Sequence, residues 1–235
     1  WLRTGQHPIS TAVRFKNSHV LAIDLSLSSL AYAQRKTEEL GVTNIDYMRA
    51  DILSPRKLKK QFDIIESVGV LHHMRDPMAG WQVLVDCLKD GGLLKVGLYS
   101  DLARREIIEI RKDINQSGIG STDAEMKSFR KALISEKKDY FQRVTSSRDF
   151  YSMSELRDLI FHVQEHRFTI PQIKDCLDKL GLRFCGFNKK GLIEQFCKSN
   201  TAERDLYDLD KWHTFEVSNP NSFAGMYQFW CQKIT

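Results

Sequence analysis

The sequence predicts an α/β protein with a mostly parallel sheet, helices on both faces, and a helical insert before the last strands. In the first hundred residues, short apolar runs alternate with segments of helical periodicity, as they do in βαβ units. Right-handed crossover connections then place helices on both faces of the sheet. The next segment, 101–150, carries basic and acidic side chains in a mixed pattern that is typical of solvated helices.

The composition is that of an ordinary globular protein. Hydrophobic residues make up 42% of the 235 residues and charged residues 28%, which argues against extended disorder. A net charge of +5 is too small to indicate a nucleic-acid partner or a membrane surface. No apolar run approaches the roughly 18 residues that span a bilayer. The five cysteines lack the spacing of a zinc site, so we expect reduced thiols and a cytoplasmic location.

The first two strands are predicted from short apolar runs that end in acidic residues. The run His19–Ile23 ends at Asp24 and is typical of a buried strand. Ser26 stands at the N-cap position of the following helix, and Gly41 stands where that helix should stop. The second strand is predicted over residues 44–49 and leads to Asp51.

Two more strands and a helix complete the predicted cofactor half of the chain. Phe62–Glu66 is predicted as the third strand and Leu93–Tyr99 as the fourth. Between them, Asp76 and Pro77 form a typical helix start, with aspartate as the cap and proline at the first helical position. Asp90–Gly92 is predicted as a turn before the fourth strand.

The remainder of the chain is predicted to cover and close this sheet. A helix is expected from Pro171 to Gly181, followed by strands at Arg183–Phe187 and Met226–Gln232. The resulting organisation is a cofactor-binding core at 1–100, a helical insert at 101–180, and closing strands and helices of the same domain at 181–235.

The acids at the strand ends are the first candidates for ligand binding, because ligands bind at the carboxyl ends of parallel strands. Asp24 lies about 20 residues after the turn at Gly5, the spacing at which a carboxylate accepts hydrogen bonds from a nucleotide ribose. Asp51 can accept a hydrogen bond from an adenine amine, with Ile52 against the ring. For Asp24 alone, a simple helix-capping role is an equally good interpretation.

The order of these motifs resembles the class I S-adenosylmethionine-dependent methyltransferases. The matching segments are VLAIDLS at 20–26, RADI at 49–52, FDIIESVGVLHHM at 62–74 and LKDGGLLKV at 88–96. Within that family, the sequence looks most like bacterial domains that are often fused to tetratricopeptide repeats. The resemblance implies a Rossmann-like, seven-stranded sheet whose last strand is antiparallel, and S-adenosyl-L-methionine as the cofactor.

The resemblance also implies a role for individual residues. Asp24 would hold the ribose, and His72 and His73 would face the region of methyl transfer. His73 is the candidate for a polar catalytic group near the acceptor. The full set of cofactor-binding candidates is Gly5, Gln6, Asp24, Leu25, Asp51, Ile52, Ser67, Val68, Gly69 and His72.

The resemblance predicts that the first strand and most of the glycine-rich loop of the family are missing at the N-terminus. Only Gly5 remains of that loop, and Arg3 lies where the family has a glycine. Glycine allows the backbone to approach a cofactor closely, which an arginine side chain would hinder. We therefore expect further sequence upstream, with a repeat domain as its expected content.

The acceptor is expected to be a small molecule or a protein, and no motif identifies it. If the insert covers the active site, Arg157, His162 and His166 are candidates for contacts with the acceptor. Methyl transfer depends mainly on positioning, because the sulfonium is already a good leaving group. A general base is needed only where the acceptor must first lose a proton.

Three other interpretations remain open. A catalytically inactive methyltransferase-like module would keep the fold and lose the cofactor, as Arg3 could indicate. An NAD(P)-dependent oxidoreductase would share Asp24, but it should show a complete G-x-G-x-x-G motif. A zinc hydrolase could use the H-x-x-E-H pattern of residues 162–166, which arises easily by chance.

Overall fold

The computed structural model describes residues 5–54, 61–135, 144–145, 150–161 and 165–234. Within these ranges the strands are β1 Val20–Asp24, β2 Ile45–Arg49, β3 Phe62–Val68, β4 Leu88–Ser100, β5 Arg167–Phe168, β6 Leu182–Phe187 and β7 Tyr227–Lys233. The helices are α1 Gln6–Arg14, α2 Leu27–Glu39, α3 Pro77–Asp86, α4 Arg105–Gln116, α5 Asp123–Ser135, α6 Met153–Leu156, α7 Ile170–Lys179, α8 Lys190–Phe196 and α9 Leu209–Ser218. Two 3-10 turns lie at Leu71–His73 and Glu203–Tyr207, and a π-helical turn at Arg157–Phe161.

The larger sheet confirms the predicted α/β class and the antiparallel last strand. Its order is β3-β4-β7-β6, and β5 pairs with the end of β4. β3 and β5 run parallel to β4, whereas β7 is antiparallel to both β4 and β6. The helices α4, α5 and α6 lie between β4 and β5, where the insert is predicted.

The single seven-stranded sheet that the resemblance implies is not found. β1 and β2 form a separate two-stranded parallel sheet, with Val20 opposite Ile45 and Asp24 opposite Arg49. Within the described ranges, β1 pairs only with β2 and β3 pairs only with β4. Each of β1 and β3 therefore has one edge without a partner strand in the described ranges, which we call the inner edges. The two sheets are separate because no described strand pairs with either inner edge.

The helix boundaries follow the capping residues that the sequence indicates. The Ser26 hydroxyl accepts a hydrogen bond from the Ser29 amide at the start of α2, and Asp76 caps α3 in the same way. Gly41 follows α2 with a φ of 65°, a conformation that glycine adopts without strain. At α7 the sequence analysis missed a capping box, in which the side chains of Thr169 and Gln172 each bond the other's backbone.

The predicted turn at residues 90–92 is wrong. β4 already begins at Leu88 and continues through these residues to Ser100. The pairing with β3 shifts at this point, from Phe62 opposite Leu88 to Ile64 opposite Leu93. A bulge therefore accommodates the extra residues without ending the strand.

Three hydrophobic clusters form the interior of the described part of the chain, and the smallest joins α1 to the smaller sheet through Ala12, Ala22 and Ile45. The main cluster lies between the larger sheet and the helices α3, α7, α8 and α9, and it includes Trp212 stacked on Phe196 at 3.7 Å between ring centroids. The second cluster joins α4, α5, α6 and the π-helical turn through residues such as Ile110, Met126 and Leu156. The insert thus has a core of its own.

Among the residues that the structure describes, no helix is long and apolar enough to cross a membrane. All five cysteines are free, as the sequence predicts.

Candidate active site

The two strand-end acids of the smaller sheet, Asp24 and Asp51, lie at the carboxyl ends of neighbouring parallel strands. β1 and β2 are parallel neighbours, and the Ala50 amide donates a hydrogen bond to the Asp24 carbonyl at 3.2 Å. The Asp24 side chain is buried, and its Oδ1 accepts a hydrogen bond from the Ser26 amide at 2.7 Å. This contact is an Asx turn that precedes α2, and the helix itself is capped by Ser26 and not by Asp24. A ligand-binding role for this residue remains a prediction.

The candidates for the adenine side of the site differ in exposure. Asp51 is exposed, and its Oδ1 accepts a hydrogen bond from the Leu53 amide at 2.8 Å. Leu25 is 56% exposed, whereas Ile52 is half-buried and packs against the main hydrophobic cluster. The structure brings these three residues to the carboxyl ends of β1 and β2, as predicted.

The N-terminus of α1 is fixed by the packing of Gly5. Its φ is 63°, and a Cβ atom added there would lie 2.3 Å from the Cβ of Ala33 in α2. Gly5 therefore allows α1 and α2 to approach closely, which is a packing role independent of any cofactor. Gln6 is the first residue of α1 and is exposed.

A polar contact that the sequence analysis missed joins α1 to the larger sheet. His7 forms a hydrogen bond to the carboxylate of Glu66 in β3, and Lys95 of β4 lies 3.7 Å from the same oxygen. The hydrogen bond from His7 is the main reason that the pKa of Glu66 lies below its ordinary value, and the charge of Lys95 adds to it. The first turn of α1 is thereby held beside the carboxyl half of β3.

The end of β3 offers both a polar group and space. Ser67 is buried, and its Oγ has no hydrogen-bond partner within the described part of the chain. An unpaired buried hydroxyl costs about 1–3 kcal/mol, which a bound ligand can recover. Gly69 has a φ of 79°, and the position of its missing Cβ is open space to at least 4 Å. With Val68 half-buried between them, these residues fit the polar amino-acid portion of S-adenosylmethionine.

The two histidines after β3 pack against the end of β4. His72 is fully buried, with its ring centroid 4.0 Å from that of Tyr99 and 4.3 Å from that of His73. The Arg104 guanidinium lies 3.3 Å from the centroid of the Tyr99 ring, a close cation–π contact. The rings of His72, His73 and Tyr99 thus form a packed wall at the end of β4.

A buried ion-pair cluster extends from this wall into the insert. The carboxylate of Glu165 accepts hydrogen bonds from Arg104 at 3.3 Å and from Arg111 at 2.9 Å. Burial lowers the pKa of Arg104, and the charge of Glu165 opposes that shift. Tyr99 and Arg104 are not among the sequence-based candidates, which follow the first three strands. Both follow directly from the same rule applied to β4.

This cluster bears on the zinc interpretation of residues 162–166. Glu165, the would-be base, is instead bound by two arginines. No group of three or more histidine, cysteine or acidic side chains suited to a metal ion occurs in the described ranges. His162 lies outside those ranges.

The predicted acceptor contacts from the insert are found in different places. The His166 amide donates a hydrogen bond to the His72 carbonyl at 2.8 Å. This bond places His166 beside the 3-10 turn Leu71–His73, which we call the histidine loop. Arg157 is half-exposed and forms an ion pair with Asp123 at 2.8 Å, within the insert. The structure does not bring Arg157 together with His73.

Comparison with known proteins relates the first part of the chain to a methyltransferase domain. Residues 3–94 match the sequence profile of a family described as a methyltransferase domain. An uncharacterised protein of Synechococcus is 25% identical over 217 residues, which cover 86% of this chain and 51% of the relative.

Solved structures share the fold. PKMT2 of Rickettsia typhi, solved in complex with AdoHcy, has a TM-score of 0.71 at 15% identity and aligns with 98% of this chain and 46% of its own. The magnesium protoporphyrin IX methyltransferase of Synechocystis, solved with bound SAH, has a TM-score of 0.50 at 12% identity and aligns with 99% of this chain and 71% of its own.

The chain spans about half the length of the Synechococcus relative and of the Rickettsia protein. The family profile and the fold comparison both relate the chain to methyltransferases. Residues 3–94 carry the sequence pattern of a methyltransferase domain, and the chain has the Rossmann-like fold of S-adenosylmethionine-dependent methyltransferases.

Proposed function

We propose that the chain is an S-adenosylmethionine-dependent methyltransferase that acts on a small-molecule or protein acceptor. The observation that carries this proposal is the set of candidate groups at the carboxyl ends of β1, β2 and β3, within the segment that matches a methyltransferase domain. The cofactor supplies a methyl group on a sulfonium, a good leaving group. The protein then has to bind, orient and exclude water.

The proposed roles follow the position of each residue along the sheet edge. Asp24 accepts hydrogen bonds from the ribose, and Asp51 accepts one from the adenine amine. The apolar contacts with the adenine come from Leu25 and Ile52. The remaining proposed cofactor contacts are Gly5, Gln6, Ser67, Val68, Gly69 and the backbone of His72.

His73 is the proposed polar group nearest the acceptor. Its ring centroid lies 6.1 Å from that of Tyr99, so it stands at the junction of the histidine loop and the end of β4. There it would orient the acceptor or receive its proton, as the chemistry of the acceptor requires. His166 is held beside this loop and is the second proposed acceptor contact, whereas Arg157 and His162 remain sequence-based candidates.

Titration calorimetry with S-adenosylhomocysteine tests this function. We expect binding that Asp24→Asn weakens at least about tenfold, because a carboxylate that accepts ribose hydrogen bonds is replaced by an amide. Asp46→Asn is the matched control, since Asp46 lies on the neighbouring strand, is exposed, and bonds only His19 among the described residues.

Two alternatives predict different titrations. An NAD(P)-dependent oxidoreductase would bind NADH in preference to S-adenosylhomocysteine. A catalytically inactive module would bind neither compound. Equal weakening by Asp24→Asn and Asp46→Asn would also contradict the proposed site.

We also propose that the complete protein supplies a strand between β1 and β3, with a tetratricopeptide-repeat region upstream, and that it acts in the cytoplasm. The unpaired inner edges of β1 and β3 in the described ranges support the additional strand. A longer chain that includes upstream sequence should bind S-adenosylhomocysteine more tightly than residues 1–235. Equal affinity of the two chains would contradict this part of the proposal.

A further inference from the structure

The ion-pair cluster between the end of β4 and the insert has more positive than negative charge. Arg104 and Arg111 share a single carboxylate, that of Glu165. The side chains of Arg104 and Glu165 are 5% and 1% exposed, and that of Arg111 is 16% exposed. In the described part of the chain neither arginine has another ion pair. Burying a charge without a counter-charge is strongly unfavourable, so this arrangement calls for an anion.

Hydrogen-bond donors are also in excess at the same place. The Nε atoms of Arg104 and Arg111 are buried donors without a partner in the described ranges, and the Oε1 atom of Glu165 is a buried acceptor without one. The Nε2 atom of His166 is also buried and unpaired there, and it donates or accepts according to the tautomer of the ring. Unpaired buried donors are rare in folded proteins, and a bound water or ligand group would satisfy these.

The cluster is connected to the proposed site of methyl transfer. The guanidinium of Arg104 lies on the face of Tyr99, and the rings of His72 and His73 lie 4.0 Å and 6.1 Å from that ring, measured between centroids. Glu165 precedes His166, whose amide is bonded to the His72 carbonyl. A ligand held by the arginines would therefore lie beside Tyr99 and next to the histidine loop.

We infer that the acceptor is a small molecule with a carboxylate group, which binds the guanidinium groups of Arg104 and Arg111 while its body lies against Tyr99. This inference rests on the proposed methyltransferase function. A carboxylate matches the planar donor array of a guanidinium better than a spherical anion does. The deep burial of the cluster favours a small molecule over an acidic protein segment. When no ligand is bound, the carboxylate of Glu165 occupies donors of both guanidinium groups and so competes with a ligand for them.

The test uses benzoate as the probe and benzamide as its uncharged analogue of the same shape. Both are titrated into the chain, with binding followed by chemical shift changes in ligand-observed NMR. Benzoate should bind and benzamide should bind at least about tenfold more weakly, since the charge-assisted hydrogen bonds are lost. A protein that binds the two probes equally would overturn the inference.

Two substitutions test the charge argument in opposite directions. Arg111→Gln should weaken benzoate binding about tenfold or more, whereas Glu165→Gln should strengthen it, because it removes the competing carboxylate. A purely structural role of Glu165 predicts weaker binding in both variants, and that result would overturn the inference. Arg35→Gln is the control, since Arg35 is exposed and pairs with Glu39 on α2. Arg104 is left unchanged because its burial makes misfolding the expected result of its replacement.

The same samples separate this inference from the proposed function. S-adenosylhomocysteine binding without benzoate binding would overturn the inference and leave the methyltransferase proposal standing. Benzoate binding that responds to the substitutions, without S-adenosylhomocysteine binding, would support the anion site and contradict the methyltransferase proposal. If Glu165→Gln does not fold, as judged by its thermal unfolding, Arg111→Gln and Arg35→Gln still decide the question.

Discussion

Replacing Gly5 with alanine tests how closely α1 and α2 approach. The new Cβ would lie 2.3 Å from the Cβ of Ala33 and 2.9 Å from its Cα, and neither atom can move without its helix. We expect a left-handed backbone penalty of about 1–2 kcal/mol and an overpacking penalty of about 1–3 kcal/mol. Gly5→Ala should therefore lower the free energy of unfolding by about 2–5 kcal/mol, measured by urea denaturation.

Gly41→Ala is the matched control for the backbone term. Gly41 has a φ of 65°, close to the 63° of Gly5, but nothing lies within 4 Å of its added Cβ. Gly41→Ala should lower the free energy of unfolding by about 1–2 kcal/mol, because only the left-handed conformation opposes the new side chain. If Gly5→Ala and Gly41→Ala lower the free energy of unfolding by amounts that agree within about 0.5 kcal/mol, the close contact between α1 and α2 is refuted. Ala33→Gly should also reduce the penalty of Gly5→Ala, so that the double variant is more stable than the sum of the single losses predicts.

Other predictions concern two carboxylates and the main core. Glu66 has a lowered pKa chiefly because of His7, so its contribution to stability should be present above the unfolded pKa of about 4.3 and lost as the pH falls through the folded pKa. In urea denaturation at a series of acid pH values, Glu66→Gln should lose less free energy of unfolding than the unchanged protein as the pH falls. An unchanged dependence on pH would contradict the role of the His7–Glu66 contact. Burial raises the pKa of Glu216, so its contribution should be complete below about pH 4.3 and lost as the pH rises through the folded pKa. Glu216→Gln should flatten the dependence of the free energy of unfolding on pH in that range. An unaltered pH dependence would contradict burial as the cause of the raised pKa. Trp212→Ala, which removes a fully buried indole, should cost about 3–5 kcal/mol. Tyr207→Ala, at a side chain that is 53% exposed, should cost less than about 0.5 kcal/mol. If urea denaturation gives similar losses of stability for the two variants, the burial of Trp212 is refuted.

The strands and helix ends that determine the sheet edge could be predicted because their signals are local. A serine or aspartate cap bonds amides two or three residues away, as Ser26 and Asp76 do. The bulge near Gly91 could not be predicted in this way. Whether two adjacent glycines end a strand or lie within it depends on the register of the neighbouring strand, which is a tertiary property.

The candidate site was predictable where one element supplies the residue and its context. Asp24 and Asp51 follow strands, and the parallel pairing of those strands then brings them together. The contacts of Glu165 with Arg104 and Arg111 join positions more than fifty residues apart. No local pattern encodes such a contact, and the H-x-x-E-H spacing at Glu165 matches the motif of a different chemistry by chance.

The separate core of the insert has a consequence for how the protein opens. The insert buries Ile110, Met126 and Leu156 against one another, and the main cluster shares none of these residues. Structural units with their own cores exchange amide hydrogens as independent cooperative units. The amides of α4 and α5 should therefore exchange together, at a lower free energy than those of β4 and β7. Local unfolding of the insert would then separate Arg111 on α4 from Glu165, while the larger sheet stays folded.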